Sequence, residues 1–169
     1  NYALARYGFG RLLAKMGNTA EAISQFKTGL HFKPNDARDC YELGSLLAKS
    51  DLTSAAIGQF QEAIRLKTDY AEAYNDLGNL LATQGQTDEA IAQFQRAISL
   101  EPRSTDARYN LGIILSKTGK TDEAISQFQE FIRLKPDDAE VHYLLGNLLA
   151  KQSQIDGAIT TFQEAIRDR

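Results

Sequence analysis

AEAYNDLGNLLATQGQTDEAIAQFQRAISLEPRS, residues 71–104, carries two helical patterns separated by one break. Leu77, Leu80 and Leu81 recur at helical spacing in its first half, and Ala90, Ile91, Phe94, Ala97 and Ile98 do so in its second. Between them Gln84-Gly85-Gln86-Thr87 offers a glycine to end the first helix in a left-handed conformation and a threonine to cap the second. The stretch therefore predicts two amphipathic helices, A and B, folded back on each other. Pro102 then stops helix B, and Ser104 can start the next helix.

The same reading repeats along the chain every 34 residues without insertion. Phe9-Gly10, Leu43-Gly44, Leu77-Gly78, Leu111-Gly112 and Leu145-Gly146 are in register, as are Ala22, Ala56, Ala90, Ala124 and Ala158, and Phe26, Phe60, Phe94, Phe128 and Phe162. Thr19, Thr53 and Thr121 repeat the expected cap of Thr87, whereas Ile155 does not. Lys33-Pro34-Asn35-Asp36 and Lys135-Pro136-Asp137-Asp138 repeat the boundary, with Thr68 in place of its proline in the second unit. Small residues at matched places let two helix axes approach, so that the Phe of helix B covers the Leu of helix A.

The pattern of Leu-Gly in helix A, Ala and Phe in helix B and a trailing proline resembles the tetratricopeptide repeat. The resemblance covers the whole chain as units 3–36, 37–70, 71–104, 105–138 and 139–169 of one array. It implies an all-α fold, a right-handed solenoid or superhelix of tandem antiparallel helix pairs. Two places depart from the pattern. The aromatic near the start of helix A is Tyr74 in the third unit but Arg6, Cys40, Arg108 and His142 elsewhere, and Phe131 replaces the Ala63, Ala97 and Ala165 of sister units. The larger Phe131 is expected to widen or re-angle the step from the fourth unit to the fifth.

Composition narrows the function classes. The 169 residues are 43% apolar and 24% charged, too apolar for a disordered chain, and hold no run of about 18 apolar residues for a membrane span. With 19 basic against 22 acidic residues the chain has no global field to draw in nucleic acid. One Cys and 2 His exclude an internal disulfide and a Cys/His-rich zinc site, so no metal or cofactor is expected. Asn1 stands where a Met would begin a whole protein, and Asn1-Tyr2 is in phase with Asp69-Tyr70, so another repeat is expected upstream. Asp168, polar where sister units hold Phe32, Leu66, Leu100 and Leu134, reads as a terminal repeat. The compartment stays open between cytoplasm and periplasm.

Catalytic groups do not converge. Cys40 and His142 lie six helix spacings apart, about 50 Å for helices packed roughly 8 to 10 Å apart, so no Cys/His pair forms within one chain. Cys40 reads as a half-buried filler and His31 as a solvated surface histidine. Gly8-Phe9-Gly10 follows no strand and is joined by no Lys-Ser/Thr, so it is no phosphate loop. Glu62 with Arg65 and Glu130 with Arg133 fit exposed ion pairs three residues apart. The expectation is that the chain is not an enzyme.

What remains is one stripe of helix A. Its central place holds Tyr7, Tyr41, Asn75, Tyr109 and Tyr143; one turn later come Arg11, Ser45, Asn79, Ile113 and Asn147. By resemblance these places line a concave groove. The expected binding residues are Tyr7, Tyr41, Asn75, Asn79, Tyr109, Asn110, Tyr143 and Asn147, and the expected partner is a protein or peptide. The competing reading has the tyrosines filling seams between repeats. Repeat proteins that hold the acidic tails of heat-shock chaperones use three cations on successive helices A. This chain shows Asn75, Asn79 and Asn110 but then Glu140 and Leu144, which disfavours such tails. Self-association through the array ends, with Ile166 at the contact, is the alternative, followed by the recognition arm of a larger enzyme.

Overall fold

The computed structural model describes residues 2–32 and 36–167. Among the described residues every regular element is an α-helix, ten in all. They are α1 (Tyr2–Lys15), α2 (Thr19–Phe32), α3 (Ala37–Lys49), α4 (Thr53–Leu66), α5 (Ala71–Thr83), α6 (Thr87–Leu100), α7 (Thr105–Lys117), α8 (Thr121–Leu134), α9 (Ala139–Lys151) and α10 (Ile155–Arg167). The chain divides into two compact units, Asn1–Gln86 and Thr87–Arg169. The first packs α1 on α2, α3 on both α2 and α4, and α5 on α4. The second packs α7 on α6 and α8, and α9 on α8 and α10. The expectations placed on Asn1, Lys33-Pro34-Asn35 and Asp168 lie outside the described residues.

The hairpins close on phenylalanine and glycine. Phe26, Phe60 and Phe128 are 1% exposed, and each ring lies over the glycine of its facing helix A. A Cβ at Gly10, Gly44 or Gly112 would fall 2.7 to 2.9 Å from that ring. Full burial of one such side chain stabilises by about 1.5–3 kcal/mol, and only a residue without a Cβ leaves room for it.

Each A-to-B turn is built the same way. The residue at its apex takes a left-handed conformation: Gly17, Gly85 and Gly119 at φ 81°, 77° and 79°, and Asp51 and Ser153 at 58° and 61°. The next amide donates to the carbonyl five residues back, as in Asn18 to Leu13 (2.9 Å), Lys120 to Leu115 (3.0 Å) and Gln154 to Leu149 (2.9 Å). This corrects the expected threonine caps. Because the turn consumes that residue, the threonines become the first helical residues, and Leu52 and Lys120 occupy the cap places of α4 and α8 without side-chain bonds. The Thr19 and Thr121 hydroxyls instead donate back to the Gly17 and Gly119 carbonyls.

The boundaries between repeats follow expectation more closely. Asp36, Ser104 and Asp138 cap α3, α7 and α9 through their side chains. The proline is dispensable: α4 ends at Leu66, in register with the ends of α6 and α8, although Thr68 stands in its place. The variable place near the start of helix A has a common role. Tyr74 donates to the Thr68 carbonyl (3.4 Å), Arg108 Nη2 to that of Pro102 (2.9 Å) and His142 Nε2 to that of Pro136 (2.7 Å), each six residues back. Reach to that carbonyl, and not aromaticity, is what these three side chains share. Cys40, at the same place, is fully buried beside Ala63 and Ala73. Its thiol is pushed up to about 11 by that burial.

Candidate peptide-binding faces

Helices α3 and α5 bring the stripe of the first unit together. Tyr41 is half-buried, its ring 5.0 Å from Tyr70 and 5.6 Å from Phe60, and its hydroxyl donates to Asp76 Oδ2 at 2.9 Å. Asn75 Nδ2 donates to the other oxygen of Asp76 at 3.3 Å. Burial, then the Asp76 carboxylate, hold the Tyr41 phenol well above its ordinary range. Tyr41, Ser45, Lys49, Asp76 and Asn79 border an open cleft of about 350 Å³ floored by Phe60 and Leu80. An aromatic wall, a carboxylate, an amide and an ammonium thus face one volume, enough to hold a short peptide segment by ring contact and backbone hydrogen bonds.

Tyr7 does not join that face. It is 1% exposed and fills the hole left by Gly29, which stands where sister units hold Ala63, Ala97, Phe131 and Ala165. Placing Tyr7 on the groove is therefore corrected: with no side chain opposite, its ring drops into the hairpin. Burial and the nearby Asp39 push its hydroxyl up to about 12. One turn on, Arg11 is fastened to Asp39 and Glu42, both at 2.6 Å, and Arg38 bonds Glu42 at 2.9 Å. Asp39 is itself 2% exposed; burial and then Asp36 push it up to about 6, and Arg11 only partly opposes them.

The second unit offers its own face on α7 and α9. The Tyr109 hydroxyl donates to Glu140 Oε1 at 2.6 Å, and that bond, then burial, push it up to about 12. Its ring stands 6.3 Å from Phe131, which is buried where a small residue is usual. Asn110 is half-buried, whereas Tyr143 and Asn147 are exposed. The Tyr143 ring lies 6.1 Å from Phe162.

The sequence reading missed the partners of these tyrosines. Asp76 and Glu140 sit 35 and 31 residues beyond Tyr41 and Tyr109, about one period on, and a search for polar pairs across one repeat would have found them. Asp39 carried a plainer signal, being charged where Ala73, Ala107 and Val141 stand in sister units. The pairs Glu62 with Arg65 and Glu130 with Arg133 form at the surface at 2.6 and 2.8 Å. Among the described residues no three His, Cys, Asp or Glu side chains gather as a metal site, and no helix is long and apolar enough to cross a membrane.

Comparison with known proteins agrees with this architecture. A family model described as tetratricopeptide repeat matches residues 81–148 and 115–169, and one described as TPR repeat matches 53–85. No curated protein matches the chain. Among solved structures, a crystal structure of MamA is 28% identical, with 94% of this chain and 93% of that chain covered and a TM-score of 0.90. YrrB, titled a TPR protein with an unusual peptide-binding site, is 25% identical over 99% of this chain and 86% of its own, with a TM-score of 0.85. With its helices in a strict 34-residue register, matched by the family models over more than half its length, the chain belongs to the tetratricopeptide-repeat family.

Proposed function

We propose that the chain is a non-catalytic module that binds a protein or peptide on its helix-A faces, through Tyr41, Asn75 and Asn79 in the first unit and Tyr109, Asn110, Tyr143 and Asn147 in the second. The observation that carries this reading is the cleft beside Tyr41, where a half-exposed ring, Asp76, Asn79 and Lys49 turn toward one open volume. The tyrosine hydroxyls, tied to carboxylates on the next helix A, hold the rings at fixed angles and lower the ordering cost of binding. YrrB supports the reading as a structural neighbour whose title names a peptide-binding site.

The test is selection of peptides from a displayed random library, followed by titration of a selected peptide by fluorescence anisotropy. The variant Tyr41→Ala/Tyr109→Ala/Tyr143→Ala, shown to be as helical as the wild type, is expected to weaken binding at least about tenfold, or 1.4 kcal/mol. Equal affinity in both proteins would return the tyrosines to the role of packing residues.

A further inference from the structure

The cleft beside Tyr41 has a neighbour within the same unit. Tyr41, Ser45 and Lys49 stand four residues apart on one face of α3 and form a ridge. On one side lies the cleft against α4 and α5, and on the other a second open cleft, about 400 Å³, against α1 and α2. Ala14, Phe26 and Leu46 give this second cleft an apolar lining, and Lys15 and Lys49 both stand at its border. Its other charged groups are already matched. Arg11 bonds Asp39 and one oxygen of Glu42, and Arg38 bonds the other oxygen, so two guanidinium groups meet two carboxylates. Lys15 and Lys49 are exposed and take part in no ion pair among the described residues. A lysine at a helix end suits the helix dipole wherever it occurs, but these two also share the rim of one cavity.

We propose that the paired clefts take a peptide segment in which one or two Asp or Glu side chains lie beside an apolar one. The carboxylates seat between Lys15 and Lys49, and the apolar side chain crosses the Tyr41 ridge onto Phe60 and Leu80. This rests on the Tyr41 face being a peptide site and names the chemistry of its partner. The first argument is charge: the two ammonium groups are the uncompensated charges of the α1–α3 cleft, and each donates readily to a carboxylate. The second is the opposite preference across the ridge. Asp76, which accepts from the Tyr41 hydroxyl, borders the α3–α5 cleft and repels a further acidic residue there, so the segment has one register. Two free cations flanked by Glu42 and Asp76 suit one or two carboxylates and not the continuous charge of a nucleic acid, whose binding builds on many phosphate contacts. Lys15 and Lys49 are the last residues of α1 and α3, about two turns beyond Tyr7 and Tyr41, so they are not the cations by which other repeat proteins hold chaperone tails.

Parallel selection tests it. Peptides are selected from a displayed random library on the wild type and on Lys15→Gln/Lys49→Gln, which removes both charges from exposed side chains. Those selected on the wild type are expected to carry Asp or Glu beside an apolar residue, and those selected on the variant are not. A fluorescein-labelled wild-type-selected peptide, followed by anisotropy, is expected to bind the variant at least about fivefold more weakly and with less dependence on salt. Lys15→Glu/Lys49→Glu is expected to prefer the same peptide with its acidic residues replaced by lysine. Selected peptides without acidic residues, or equal affinity for the wild type and the glutamine variant, overturn the proposal. If such peptides still lose affinity in Tyr41→Ala, the Tyr41 face remains a peptide site and only its acidic preference falls. A library that yields no binder overturns both. A labelled oligothymidylate that binds more tightly than every selected peptide, and is released by the glutamine variant, also overturns the proposal by assigning the lysines to nucleic acid.

Discussion

Two glycines of one hairpin should respond to alanine in opposite ways. Gly44 lies within α3, and a Cβ there would fall 2.8 Å from Phe60 Cε1 and 2.9 Å from Cδ1. Phe60 is 1% exposed, so its ring is packed in place and must shift for a Cβ to fit. Gly58 lies within α4, and a Cβ there meets nothing within 4 Å. Alanine gains about 0.8–1.0 kcal/mol over glycine at either helical site, and overpacking a closed core costs about 1–3 kcal/mol. Gly58→Ala is then expected to stabilise by about 1 kcal/mol, and Gly44→Ala to change stability by between about 0 and −2 kcal/mol. The separation, about 1–3 kcal/mol, corresponds to roughly 2–12 °C in melting temperature for a chain of this size.

Thermal unfolding followed by far-ultraviolet circular dichroism reads that separation directly. A third variant isolates the cause: in a Phe60→Leu background the ring is gone, and Gly44→Ala should recover the helix gain seen at Gly58. If Gly44→Ala raises the melting temperature as far as Gly58→Ala does, the glycine is not there for the ring. If the cost persists in the Phe60→Leu background, some contact other than Phe60 sets it. Either result refutes the close-approach account of the repeating glycine.

Three further outcomes follow from the geometry. Ser153→Gly, at φ 61° in the last A-to-B turn, should stabilise by about 1 kcal/mol in urea unfolding, and Asp51→Gly by less, because aspartate tolerates the left-handed region better than serine. Asp39 titrates near 6 in the folded chain against an ordinary value of 3.8, so between those values the folded state holds the extra proton. Wild-type stability should therefore fall relative to Asp39→Asn as pH rises from about 4 to about 6, and parallel profiles of the two proteins would contradict this. Arg108→Ala, which removes the bonds to the Pro102 carbonyl and to Gln127, should cost about 0.5–1.5 kcal/mol, with faster hydrogen exchange at the start of α7.

Much of the fold was legible because the information is local and repeated. Helical spacing marked both helices of every hairpin, the 34-residue register placed four of the five helix-A starts at Ala37, Ala71, Thr105 and Ala139, and Phe opposite Gly announced how they close. The threonine caps were misread because the five-back amide bond of the turn depends on the backbone of the preceding residue, and a list of favoured capping residues does not contain that. The candidate faces were half legible. Register identified which side of helix A they occupy, yet Tyr41, Tyr109 and Tyr143, identical in phase, ended in different surroundings.

By itself, then, the amino-acid order determined the repeat, its helices, the glycine at three of the five left-handed turns and the side of each helix A that faces away from its partner. Only tertiary structure decided which of the in-phase side chains are open. Tyr7 is swallowed because Gly29 stands opposite it, Tyr41 and Tyr109 are pinned by carboxylates about one period further on, and Tyr143 stands uncovered beside its cleft. The reason is physical: periodicity fixes the angle at which a side chain leaves its helix, whereas burial, hydroxyl partners and the upward shift of Asp39 depend on what another helix places across from it.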